Sequence, residues 1–82
     1  LVTVGGERGA EAKTALREWA MTRALPAPSY RALSRAGTAH APVFTVEVRV
    51  EGYPPESARG PALRVAEKAA ARKLLAREGG AL

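Results

Sequence analysis

The stretch from Val43 to Glu51 constrains the fold of this chain most strongly, because apolar and polar residues alternate along it with a period of two. One side of the alternation consists of β-forming residues, namely Phe44, Val46, Val48 and Val50. The other side is expected to face water and consists of Thr45, Glu47, Arg49 and Glu51. The pattern predicts a strand in an antiparallel sheet that is covered on one face only.

Segments with helical periodicity precede and follow this strand in the sequence. Between Glu11 and about Arg23, one arc is typical of a core face and holds Ala12, Ala15, Leu16, Trp19 and Ala20. A second helix is predicted from about Ala62 to Arg77, after Gly60-Pro61 and before Gly79-Gly80. Its expected core arc holds Ala62, Ala66, Ala69, Ala70 and Leu74. The other side is expected to hold Arg64, Lys68, Ala71, Arg72 and Leu75.

Two weaker strand signals complete the order of elements. Ser29 to Arg35 alternates over a short stretch and is interpreted as a strand, and Tyr53-Pro54-Pro55 forms at best a short edge strand. The resulting order, α-β-β-β-α, predicts an α+β fold of two layers, in which both helices pack on one face of the sheet. We expect residues 1–10 to be a linker, residues 11–78 the folded domain and residues 79–82 a tail.

Charge and composition narrow the range of functions that this chain could have. The 82 residues carry 13 basic and 8 acidic side chains, a net charge of +5, which favours a polyanionic partner. Arg outnumbers Lys ten to three, and a guanidinium suits bidentate contact with phosphate. The chain has no Cys, no Asp and one His, so a thiolate or carboxylate–imidazole metal site is hard to assemble. No signal peptide or membrane-spanning run is visible, and we expect a cytoplasmic setting.

Four blocks of residues, in order, resemble the double-stranded RNA-binding domain of bacterial ribonuclease III. The first is Ala12 to Glu18 (AKTALRE), which looks like the family's P-K-T-x-L-Q-E. The second is Gly37 to Phe44 (GTAHAPVF), similar to G-P-x-H-x-P-x-F, and the third is the strand from Val46 to Gly52. The fourth is Gly60 to Leu75, which resembles G-x-S-K-K-x-A-E-Q-A-A-A-x-x-L-L. The resemblance covers residues 12–75.

The resemblance implies a module that recognises the shape of A-form RNA across about 16 base pairs through two minor grooves and the phosphates between them. The outward arc of the first helix would enter one minor groove and holds Thr14, Arg17, Glu18 and Met21. Gly37 and His40, in the loop between two strands, would reach the second minor groove. The start of the second helix would hold phosphate through Arg59, Gly60, Arg64 and Lys68. Residues 59–73 carry five basic side chains and one Glu.

The phosphate site departs from the family pattern. Where the family has Ser-Lys-Lys, this chain has Ala62-Leu63-Arg64, so one lysine is replaced by an apolar residue. Arg17 stands where Gln is common. Leu63 beside Val65 therefore supports an alternative, a degenerate domain of the same fold acting in protein–protein interaction or dimerisation. A DNA-binding helix-turn-helix is disfavoured by the strong central strand.

The resemblance also implies a parent protein. It would be a ribonuclease III whose upstream nuclease domain uses Mg²⁺. The resemblance also implies that this parent protein would form a homodimer. The first residue is Leu1, which fits a piece of a longer protein. We assign no catalytic residue, cofactor or metal to this chain, because it has no nucleophile–base pair at suggestive spacing and no phosphate-binding loop followed by Lys-Ser or Lys-Thr.

Overall fold

Two helices and three strands follow one another in the order α-β-β-β-α in the computed structural model, which describes residues 8–78. The elements are α1 (Arg8–Thr22), β1 (Ser29–Gly37), β2 (Pro42–Arg49), β3 (Glu56–Gly60) and α2 (Leu63–Glu78). The strands form one antiparallel sheet in the order β1-β2-β3. The predicted α+β architecture is confirmed. Residues 1–7 and 79–82, which cover most of the predicted linker and the whole tail, lie outside the described residues, and α1 begins at Arg8, before the predicted start at Glu11.

The alternation in β2 builds the centre of the fold as the sequence predicts. Val46, Val48 and Val50 are 2% exposed or less and face the helices, whereas Arg49 and Glu51 are exposed. The prediction that Glu47 faces water needs correction, because its side chain is only 14% exposed. Arg49 covers it with an ion pair of 2.8 Å, and the Arg31 guanidinium lies 3.9 Å away on the neighbouring strand. We call the sheet face that carries these three charged residues the outer face.

The third strand does not lie at Tyr53-Pro54-Pro55, where it was predicted. Those residues connect β2 to β3, and pairing with β2 begins only at Glu56, opposite Val48. The physical reason is that neither proline has an N–H to donate to a ladder. Tyr53 instead packs edge-on against Trp19, with 4.9 Å between ring centroids. The connection therefore closes one end of the core.

Helix α2 buries a wider face than its predicted core arc. Ala66, Ala70 and Leu74 are buried as predicted, but Ala71 and Leu75, which were expected on the other side, are also 5% exposed or less. The reason is that α2 packs against α1 as well as against β2 and β3, so two adjacent sides of the helix are covered. Ala62 lies just before the helix and is exposed. Among residues 12–22 of α1, the buried ones are Ala12, Leu16 and Ala20, all on the predicted core arc.

Helix α1 ends in a Schellman motif formed without glycine. Leu25 N–H donates to the Ala20 carbonyl at 3.0 Å, and Ala24 N–H donates to the Met21 carbonyl at 2.9 Å. Ala24 adopts a φ of 58°, a conformation that glycine tolerates better than alanine does. Leu25 then packs against the core, which anchors the connection to β1.

Candidate nucleic-acid interface

The outward side of α1 carries the first set of predicted contact residues. Thr14, Arg17, Glu18 and Met21 stand at positions i, i+3, i+4 and i+7, so they form one stripe. All four are exposed, and Met21 is 62% exposed. Among the side chains of residues 12–78, none forms a salt bridge with Glu18, which leaves its carboxylate oxygens free to accept hydrogen bonds from an external donor.

The connection between β1 and β2 presents the second set. Gly37 has a φ of +82°, and a Cβ added there would overlap the carbonyl oxygen of Ala41. The loop is closed by Ala41 N–H, which donates to the Thr38 carbonyl at 3.2 Å and to the Thr38 hydroxyl at 3.0 Å. This tight turn holds His40 at its tip, where the side chain is exposed. The glycine at position 37 is therefore required by the close approach of the backbone.

The start of α2 presents the third set. Arg64 lies in the first turn and is exposed, and Lys68 follows one turn later on the same side. No acidic residue occupies the first turn, so the free N–H groups and the helix dipole there are not neutralised. Gly60 permits the close approach of β3 to this turn, because an added Cβ would lie 2.9 Å from the Val65 side chain. Arg72 extends the same side by another turn. The site prediction omitted it, although its spacing of four from Lys68 is visible in the sequence.

The structure does not bring Arg59 together with the rest of the predicted phosphate site. Arg59 pairs with Thr45, whereas Ala58 pairs with the buried Val46. Since alternate strand residues face opposite sides of a sheet, Arg59 lies on the outer face. Arg64 belongs to α2, which packs on the other face of the sheet. The role of Arg59 stays a prediction without support from its position.

A partly buried ion pair joins the two helices beside the candidate interface. Lys13 Nζ donates to Glu67 Oε1 at 2.8 Å, and the same ammonium lies 4.9 Å from the centroid of the Tyr30 ring. Burial raises the pKa of the Tyr30 hydroxyl from its ordinary value of 10.0 to about 12, with a smaller contribution from the negative charge of Glu67. Lys13 and Glu67 are neighbours in sequence of Thr14 and Lys68, so the pair links α1 to α2 beside two of the predicted contact residues. No local sequence pattern indicates this pair, because the two residues are 54 positions apart.

Leu63 and Val65 are exposed at the start of α2, at 44% and 43% respectively. Leu63 thus stands open to solvent next to Arg64 rather than inside the core. Within residues 8–78, no group of His or Glu side chains could hold a metal ion, and no helix there is long and apolar enough to cross a membrane.

Comparison with known proteins agrees with this geometry. Residues 12–77 match the double-stranded RNA binding motif, a span that includes the α1 stripe, the His40 loop and the start of α2. The chain belongs to the double-stranded RNA-binding motif family. Ribonuclease 3 of Caulobacter vibrioides is 55% identical to this RNA-binding motif over 75 residues, which cover 92% of the chain and 32% of the relative. Ribonuclease 3 of Cereibacter sphaeroides is 57% identical over 67 residues, which cover 82% of the chain and 29% of the relative.

Solved structures show the same arrangement of elements as this RNA-binding motif. A structure of Arabidopsis HYL1 superposes with a TM-score of 0.68 at 28% identity, covering 85% of this chain and 97% of that one. The second double-stranded RNA-binding domain of DRB4 superposes with a TM-score of 0.63 at 27% identity, covering 84% of this chain and 96% of that one. The family and these neighbours favour the RNA-binding interpretation over the protein-interaction alternative. The helix-turn-helix possibility does not fit the described residues, because all three strands lie between α1 and α2 and a helix-turn-helix needs two helices joined by a short turn. The chain spans about a third of the curated relatives that it matches.

Proposed function

We propose that this domain binds double-stranded RNA by its shape and that it serves as the substrate-binding module of a ribonuclease III. The observation that carries the proposal is the exposure of all three predicted contact regions in a chain that matches the family over residues 12–77. The stripe on α1 and the His40 loop would each enter a minor groove, where 2′-hydroxyls are accessible. Arg64 and Lys68 would bind the phosphates between the two grooves, helped by the N-terminus of α2.

The roles of the individual contact residues follow from their chemistry. The Thr14 hydroxyl and the His40 ring can donate or accept hydrogen bonds, and Glu18 can only accept, which suits a 2′-OH or a guanine amino group. Arg17 can reach the phosphate at the edge of the groove, and Met21 can pack against the ribose. Gly37 holds His40 in place through its positive φ.

The proposal extends to the parent protein. The nuclease activity of a ribonuclease III, its Mg²⁺ and its homodimerisation would belong to an upstream domain, and the present chain would raise the affinity for substrate and position it. The described residues do not suit Mg²⁺ themselves, since they include no cluster of acidic side chains that could hold it. A cytoplasmic setting for the parent is part of the same proposal.

A salt titration of binding tests the RNA-binding function. The chain would be mixed with a duplex RNA of about 20 base pairs, slightly longer than the expected site of about 16, and with a DNA duplex of the same sequence. We expect tighter binding to RNA, with an affinity that falls as salt rises. His40→Ala should reduce the preference for RNA, and Arg64→Gln should lower the slope of log K against log salt by about one unit.

Arg49→Gln is the matched control, because it also removes one positive charge but lies on the outer face of the sheet, bound to Glu47. It should leave both affinity and slope nearly unchanged. Equal binding to RNA and DNA would mean that the chain binds duplexes only through its positive charge. It would contradict the minor-groove roles of Thr14, Glu18 and His40. Failure to bind either duplex at low salt would refute the proposal and direct attention to Leu63 and a protein partner.

A further inference from the structure

A β-bulge in β1 changes the face on which Arg35 lies. Ala32 pairs with Val46 and Ser34 pairs with Thr45, so Leu33 is an extra residue without a partner in β2. Without this extra residue, strict alternation would place Arg35 on the outer face together with Arg31. Because of the bulge, Arg35 pairs directly with Phe44, which shares the helix-side face of β2 with Val46 and Val48.

Phe44 holds the Arg35 side chain on the helix-side face. The guanidinium carbon lies 5.5 Å from the centroid of the Phe44 ring, a distance typical of a cation–π contact. Arg35 is nevertheless exposed, so the other side of its guanidinium is open to solvent. The contact orders the side chain before any ligand arrives, which reduces the conformational entropy lost on binding.

The electrostatic surroundings of Arg35 differ from those of the arginines on the outer face. Arg31 and Arg49 share the Glu47 carboxylate, at 3.9 and 2.8 Å. Within the described part of the chain, no carboxylate lies within salt-bridge distance of Arg35. The charge of Arg35 is therefore available to an external anion, whereas the charges of the outer-face arginines are partly neutralised.

The position of Arg35 links two of the three contact regions. It precedes Gly37 and the His40 loop by two residues. Across the sheet it shares a row with Phe44 and Gly60, and Gly60 contacts Val65 in the first turn of α2. Since neighbouring strands lie about 4.8 Å apart, the backbone of Arg35 is roughly 10 Å from that of Gly60. Arg35 thus lies on the route between the loop and the phosphate site.

We infer that Arg35 contacts the phosphate backbone of bound double-stranded RNA, between the His40 loop and the start of α2, and that the bulge at Leu33 and the ring of Phe44 place it there. This inference rests on the proposed function and adds a contact to it. Leu63 stands where the family has a lysine, so the phosphate site on α2 lacks a cation at that position. Arg35 supplies a cation to the same region from the sheet.

The test compares Arg35→Gln with Arg31→Gln in the 82-residue chain, using the same RNA duplex and salt series. Both variants remove one charge from β1, but Arg31 lies on the outer face. Arg35→Gln should lower the salt slope by about 0.9, the value for one phosphate contact on a duplex. If the affinity lines of the wild type and Arg35→Gln meet at 1 M salt, the variant binds about fivefold more weakly at 0.15 M salt and about fifteenfold more weakly at 0.05 M salt. Arg31→Gln should change the slope by less than about a third as much.

A third variant separates contact from structure. Arg35→Lys keeps a point charge that can bind phosphate and should retain most of the slope, whereas Arg35→Gln should not. Thermal unfolding of each variant shows whether the fold is kept. If the wild type binds RNA and Arg35→Gln matches Arg31→Gln in slope and affinity, the inference about Arg35 is wrong and the proposed function stands. If the wild type binds no duplex RNA, the proposed function itself fails.

Discussion

Gly37 and Gly52 offer a matched pair of substitutions that isolates the cost of the tight turn beside His40. Both glycines have a positive φ, +82° and +88°. A Cβ at Gly52 would meet no atom within 4 Å, whereas a Cβ at Gly37 would overlap the Ala41 carbonyl oxygen, which belongs to the backbone. Gly37→Ala and Gly52→Ala therefore share the conformational penalty and differ in the steric one.

The magnitudes follow from these two terms. A positive φ costs alanine about 1–2 kcal/mol, and the restriction of the unfolded chain by alanine returns about 0.4–1 kcal/mol, so Gly52→Ala should reduce the free energy of unfolding by about 1 kcal/mol. Gly37→Ala should cost a further amount of about 1–3 kcal/mol, the range observed when a well-packed site is overfilled. The Ala41–Pro42 backbone must move to relieve the overlap, and His40 moves with it.

Urea unfolding followed by circular dichroism measures both losses, and RNA titration of the same two variants measures the displacement of His40. We expect Gly37→Ala to be the less stable variant and also the weaker binder under conditions where both remain folded. Losses of stability that agree within about 0.5 kcal/mol, the usual scatter of surface substitutions, would refute the argument from close backbone approach.

Three further outcomes are expected. Ala24→Gly should stabilise the domain by about 0.5–1 kcal/mol in urea unfolding, because glycine removes the cost of the φ of 58° at the end of α1; an unchanged or lower stability would contradict the Schellman assignment. Tyr30 contributes stability that is fully present below pH 10, its ordinary pKa, and is lost as the pH rises toward the folded pKa of about 12. Unfolding midpoints of wild type and Tyr30→Phe should therefore diverge in alkali, with the wild type losing more; parallel curves would rule out the raised pKa. Leu74→Ala should cost about 2–5 kcal/mol because Leu74 is fully buried, and Leu63→Ala, at an exposed position, should stay within about 0.5 kcal/mol of wild type; a large loss at Leu63 would place it in the core.

Features set by residues close in sequence were predicted correctly, whereas features set by contacts between distant segments were not. The alternation from Phe44 to Val50 and the helical arc from Ala12 to Ala20 are local patterns. The structure confirms burial at Val46, Val48 and Val50 in the first and at Ala12, Leu16 and Ala20 in the second, whereas Phe44, Ala15 and Trp19 are only partly buried. The family match confirms the resemblance that these blocks carry. Periodicity succeeds here because a residue's direction from the backbone is set by its immediate neighbours.

Other features depended on how distant segments meet. The burial of Ala71 and Leu75 required α1 to pack against α2, and the pairing of Lys13 with Glu67 joins residues 54 positions apart. The start of β3 at Glu56 depended on the register with β2, and one bulge in β1 decided the face of Arg35. The sequence by itself determined both helices, the first two strands, the apolar faces of α1 and β2, and the stripe on α1. The tertiary structure decided which charges are neutralised and which stay free, because salt bridges and strand register depend on contacts that no local pattern encodes.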